Sequence, residues 1–134
     1  MIMAYSMEDI KRVHELDLDI MMEVFLGNRE RFTEFEESGV PWNRIIPFIS
    51  HQPPEDPELI AMIHAKGSSC MAGTSRYLDR ELKKANPPSP ALKASYDNLL
   101  DGGIDIIETD LPIQVTQLVY PETAIPSSKA KYFR

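Results

Sequence analysis

Short apolar runs alternate with amphipathic, capped segments along most of the chain. Met1–Tyr5 reads as a strand. Ser6 is placed to cap a helix with Asp9 at its third position, and Ile10, Val13 and Leu16 then recur at helical spacing. Ile20–Leu26 is a second strand, apolar except for Glu23. Asn28 opens the next helix, which turns Phe32 and Phe35 inward and stops at Gly39. Arg44–Ser50 is a third strand, and Pro47 within it removes a ladder donor, so it is expected to be short, irregular or at a sheet edge.

Asp56-Pro57-Glu58 has the signature of a helix start: cap, proline and acidic first turn. Leu59, Ile60 and Ile63 give its inner face and Gly67 its stop. Ser69–Thr74 is a strand, followed by an amphipathic helix over Ser75–Ala85 with Tyr77, Leu78 and Leu82 inward and a charged outer face. Ser89-Pro90 starts a helix to Leu100. The Gly102-Gly103 pair ends it, and Ile104–Ile107 follows as a buried strand that delivers Glu108, Thr109 and Asp110 to its end. Pro112–Val119 is a closing helix. Residues 120–134 lack periodicity and read as a tail after a domain spanning 1–119. Strand–helix alternation with apolar strands implies a parallel sheet covered by helices, either a small doubly wound sheet or a piece of a barrel.

Composition narrows the function. The formal net charge is −7, which argues against a nucleic-acid partner and against anionic membrane surfaces. Cys70 is the one cysteine, so an internal disulfide and a cysteine-based zinc site are not expected; in a buried strand it suits a core role. The chain has no apolar run of about 18 residues, so no membrane span is expected. The first residues do not have the form of a signal peptide. The compartment is not specified by these features.

In parallel α/β folds, polar groups at strand carboxyl ends carry the sites. Here those positions include Thr74, Thr109, Asp110 and His51. Glu108 and Asp110 are two apart, so strand alternation sets both on one face, where they are weak candidates for Mg²⁺ or Ca²⁺. The simpler reading is that Asp110 caps the following helix and Glu108 is solvated or ion-paired. His51 is either a general acid/base or phosphate ligand, or a loop histidine. His64 suits a helix end, near the last carbonyls. Glu23 either points into a barrel interior, where it needs a partner, or lies at an exposed end.

The stretch Gly103-Ile104-Asp105-x-Ile107-x-Thr109-Asp110-x-Pro112 resembles the last strand of the glycerophosphodiester phosphodiesterases. Residues 63–74 resemble that family's helix ending His-x-x-Gly and its seventh strand, which ends in Thr, and Met1–Ser6 is similar to its fifth strand. The resemblance covers nearly all of residues 1–118 and implies the α/β class. Specifically, it implies a parallel (β/α) half-barrel, the C-terminal half of a TIM-type (β/α) barrel, with four principal strands and Arg44–Ser50 as a fifth or an irregular crossing. A complete family domain hydrolyses a glycerophosphodiester to sn-glycerol 3-phosphate and an alcohol with a divalent metal, Mg or Ca. It uses His-Arg-Gly, a Glu-x-Asp metal pair, a second histidine and Glu-x-Lys, all on the first four strands.

This chain lacks counterparts of those positions. Glu81-Leu-Lys83 has the Glu-x-Lys spacing but falls on a helix, and Gly73 stands where the family often has Trp. The resemblance therefore implies a chain that is inactive alone and has no catalytic residue or metal of its own. Thr74, Thr109, Asp110 and His51 are the candidates for the substrate rim. Its expected partner is a missing N-terminal half-barrel or a second copy meeting it through open sheet edges. The rival expectation is a non-catalytic half-barrel serving as an interaction or scaffold protein. A nucleotide-binding doubly wound sheet is disfavoured, because no glycine-rich phosphate loop follows any strand.

Overall fold

The computed structural model describes residues 1–85 and 87–122. The tail expected over 120–134 therefore lies, from residue 123 onward, outside the described residues. Among the described residues five strands form one open sheet in the order β1-β2-β3-β4-β5: Ile2–Ala4, Met22–Phe25, Ile45–Phe48, Met71–Gly73 and Ile106–Glu108. Every neighbouring pair is parallel. Among the described residues six α-helices connect and follow the strands: α1 (Met7–Leu16), α2 (Arg29–Ser38), α3 (Pro57–Ala65), α4 (Leu78–Leu82), α5 (Pro90–Asp101) and α6 (Pro112–Val119). This is a parallel (β/α) half-barrel.

The helix starts follow from local chemistry. Ser6, Asn28, Asp56 and Ser89 each accept a hydrogen bond from the backbone N–H three residues on. Gly39 and Gly103 adopt φ of 77° and 93°, which a side chain would resist. Two departures from the sequence pattern matter. The helix expected over Ser75–Ala85 contracts to α4, because Thr74 O accepts from both Tyr77 N and Asp79 N and holds a turn there. Asp79, assigned by pattern to a charged outer face, is fully buried.

The second departure is β3. Of the outcomes expected of a strand holding Pro47, β3 is short, Ile45–Phe48, but it is not at an edge: it lies at the centre of the sheet. Phe48 O accepts from Leu26 on the β2 side, whereas Ile49 N donates to Met71 on the β4 side. By alternation the Pro47 nitrogen lies on the β4 side, and pairing with β4 begins only at Phe48↔Met71. The missing donor therefore falls where β4 has not yet started, so the ladder tolerates proline.

Side-chain parity divides the sheet. Ala4, Met22, Val24, Ile45, Ile49, Cys70 and Ala72 pack into two apolar clusters with helix residues such as Ile10, Phe35, Ile63 and Tyr96, and Ile107 of β5 packs against one of them. Trp42 bridges them, with its ring 5.0 Å from Phe32 and 4.7 Å from Phe35. The opposite parity, with Met3, Glu23, Phe25, Phe48 and Glu108, lines a cavity at the carboxyl ends of the strands. That is the concave side of a half-barrel, and it is where the polar groups gather.

Candidate functional site

The cavity has a volume of about 540 Å³ and carries Glu23, Glu108, His51 and Arg76 among aromatic walls. β2, flanked by β1 and β3, positions Glu23 on the inner face, and the end of β5 presents Glu108. Glu23 is 8% exposed, and its carboxyl has no hydrogen-bond or ion-pair partner among the described residues. Burial raises its pKa, and the Glu108 carboxylate raises it further. Glu108 Oε2 and His51 Nδ1 are also buried without a partner. Both lean over Gly73: a Cβ built there would fall on His51 Nδ1 and within 3.0 Å of Glu108 Oε2. The glycine at a position where the resembling family often has Trp therefore makes room for these two side chains.

The threonines have a different destination. Thr74 is fully buried, and its hydroxyl donates to Asp79 Oδ1 at 2.6 Å. Thr109 donates to Asp79 Oδ2 at 2.8 Å, the Asp110 N–H to the same oxygen at 2.8 Å, and Tyr96 to Oδ1 at 2.8 Å. Thr74 and Thr109 thus clamp the ends of β4 and β5 to a buried aspartate on α4; they do not project from an open rim. Burial alone would raise the Asp79 pKa, but the hydrogen bonds from Thr74, Thr109, Tyr96 and the Asp110 N–H hold it below the usual carboxylate range.

Glu108 and Asp110 do not form a pair. β5 ends at Glu108, so strand alternation no longer governs Asp110. Asp110 is exposed, with Lys83 Nζ 3.5 Å away, while Glu108 turns into the cavity. Nor does Asp110 cap α6. Leu111 occupies the cap position, and the Thr109 hydroxyl accepts the Leu111 N–H at 3.0 Å. Glu108 is half-buried and has no ion pair among the described residues; its Oε2 is buried and free of partners.

Among the described residues, one group of three potential metal donors converges: His64, Cys70 and Asp105, at the amino ends of β4 and β5. It does not suit the hard divalent ion the resemblance implies, which prefers an all-oxygen shell. Asp105 Oδ2 already accepts the Cys70 N–H and faces His64 Nε2. Burial, with Asp105 nearby, pushes the Cys70 thiol up to about 12, so it stays protonated. This group, the one that converges among the described residues, therefore does not fit a hard divalent ion.

No protein-family model matches the chain, and no curated protein does. A solved structure does: the crystal structure of a glycerophosphoryl diester phosphodiesterase from Parabacteroides distasonis ATCC 8503 superposes with a TM-score of 0.77 at 28% identity. The likeness is to the glycerophosphodiester phosphodiesterases. It extends over 98% of this chain and 45% of the phosphodiesterase chain, so the 134 residues span about half that length. The resemblance read in the sequence is thus matched by a likeness of fold over nearly the whole chain.

The sequence reading missed Asp79 and Arg76 and left Glu23 open. A signal existed for Glu23, the single charge in an apolar strand. Asp79 and Arg76 had none, because their surroundings arise only when α4 folds back on β4 and β5.

Proposed function

We propose that this chain is the C-terminal half of a metal-dependent phosphodiester hydrolase that converts a glycerophosphodiester to sn-glycerol 3-phosphate and an alcohol. The observation that carries this reading is the likeness to the phosphodiesterase neighbour over nearly the whole of this chain but under half of the other. Hydrolysis at phosphorus requires a positioned water, an acid for the leaving oxygen and neutralisation of phosphoryl charge. The cavity of this chain offers His51, Arg76 and two carboxylates, but no set of oxygens fitted to a divalent ion. The acid, base and metal ligands belong to strands outside this chain, and the 134 residues supply the facing wall.

The assay is release of glycerol 3-phosphate from glycerophosphocholine or glycerophosphoethanolamine. The purified chain is expected to be inactive with or without Mg²⁺ or Ca²⁺. Activity is expected when an N-terminal half bearing His-Arg-Gly and Glu-x-Asp is supplied, fused or as a second chain. Metal-dependent turnover by the isolated chain, abolished by Glu108→Ala or Asp110→Ala, would overturn this reading. A non-catalytic half-barrel that binds a partner chain is the second reading. It is favoured by the exposed apolar residues Met1, Ile2 and Met3 at the β1 edge and predicts association without turnover in every combination.

A further inference from the structure

We propose that the cavity at the strand carboxyl ends binds an organic ammonium group between Glu23 and Glu108, against the rings of Tyr5, Phe25 and Phe48. The inference goes beyond the hydrolase reading, because it concerns a cation site carried by this chain alone.

Three observations carry it. Glu23 lies on β2, an interior strand, with 8% of its surface exposed, and it lines the cavity. A partly enclosed carboxylate gains from a counter-charge or donor, and none of the described residues forms a hydrogen bond or ion pair with it. Glu108 turns toward the same space with Oε2 unpartnered, and the two carboxyl groups repel. A cation lodged between them relieves both burdens. One guanidinium, that of Arg76, lines the cavity and leaves the carboxylates in excess.

The walls decide which cation. A bare Mg²⁺ or Ca²⁺ needs about six oxygens at short range. Glu23, Glu108 and His51 do not converge as a donor set, unlike His64, Cys70 and Asp105 at the other end of the strands. The cavity is also far larger than an ion, about 540 Å³, and three of its lining residues are aromatic. Aromatic faces attract alkylammonium groups through the ring quadrupole and contribute nothing to a hard metal.

The test is a titration of the full 134-residue chain, followed by backbone amide NMR and calorimetry. The ligands are tetramethylammonium, methylammonium, the uncharged isostere tert-butanol, MgCl₂ and CaCl₂, at matched ionic strength. Saturable binding of either ammonium is expected, with shifts centred on Glu23, Phe25 and Phe48 and at least tenfold weaker binding in Glu23→Gln and in Glu108→Gln. Preference for tetramethylammonium assigns a quaternary ligand, and preference for methylammonium assigns a primary amine. Absence of saturable ammonium binding, equal binding of tert-butanol, or displacement of the ammonium by stoichiometric Mg²⁺ or Ca²⁺ overturns the proposal. Should one variant unfold, the other and the wild-type comparison with tert-butanol still decide. The readout is binding, so it stands or falls separately from hydrolysis.

Discussion

His64 Nε2 lies 2.9 Å from Asp105 Oδ2, and the same oxygen accepts the Cys70 N–H at 2.8 Å. Two segments of the family resemblance, His-x-x-Gly and Gly-hydrophobic-Asp, thus meet in space. The end of α3 is tied through one carboxylate to the starts of β4 and β5. His64 is bound to this aspartate rather than to its own helix carbonyls. Both side chains are partly exposed, so the pair is worth less than a buried one. Asp105→Ala is expected to destabilise the chain by about 1–2 kcal/mol, and Asp105→Asn by less, because the amide oxygen can still accept from Cys70. Urea unfolding of the two variants checks the order.

Asp79 is a stronger constraint. It is fully buried and accepts four hydrogen bonds, from Thr74, Tyr96, Thr109 and the Asp110 N–H. Asp79→Ala leaves several buried donors without an acceptor and is expected to cost about 3 kcal/mol. The pH dependence follows from its depressed folded-state pKa. A group of this kind binds more protons unfolded than folded near its unfolded value, about 3.9. Its contribution is therefore complete above that value and is lost as pH falls through the folded pKa. Wild-type stability should drop more steeply below about pH 4 than that of Asp79→Asn. Asp56, held at about 2 by Arg29, behaves the same way in both proteins and cancels in the comparison. Urea midpoints across the acid range provide the measurement.

Much of the architecture was legible because it is written in local chemistry. The four helix caps, the glycine stops and the apolar strands each depend on residues close in sequence, and the parallel order follows from their alternation. The central placement of β3 was not legible. Proline argues for an edge unless the start of the partner strand is known, and where β4 begins relative to Pro47 is a tertiary fact. The same limit applied to the site. Thr74 and Thr109 have the residue type of a substrate rim, yet a buried aspartate five residues after Thr74 claims both. Glu108 and Asp110 have the spacing of a pair, yet the strand ends between them.

Gly73 gives a local test of the cavity. Its missing side chain is what admits His51 and Glu108, and a Cβ there would collide with the His51 ring. Gly73→Ala should displace that ring, cost about 1–3 kcal/mol through overpacking, and shift the amide resonances of residues 50–52. An unchanged spectrum with unchanged stability would show that the ring does not rest against Gly73.

The β1 edge leads to a prediction about association. β1 pairs with β2 alone among the described residues, and its other side leaves strand amides and carbonyls open. Ile2 is 43% and Met3 46% exposed there, beside Met1 and Tyr5, which are more exposed still. An uncovered apolar edge strand is a template for pairing, and charge placed on such an edge suppresses it. This edge has no lysine, glutamate or proline from Met1 to Tyr5. Its apolar side chains continue onto the concave face at Met3 and Phe25, where contiguous exposure is unfavourable. The isolated chain is therefore expected to self-associate, with a weight-average mass above that of one chain in light scattering that rises with concentration. Met3→Lys should shift the distribution toward monomer with little loss of stability, because the substituted side chain already faces water. Supplying the complementary half-barrel should do the same by covering the edge. A chain that stays monomeric at high concentration, with the wild-type sequence and no partner, would show that the edge is protected by other means.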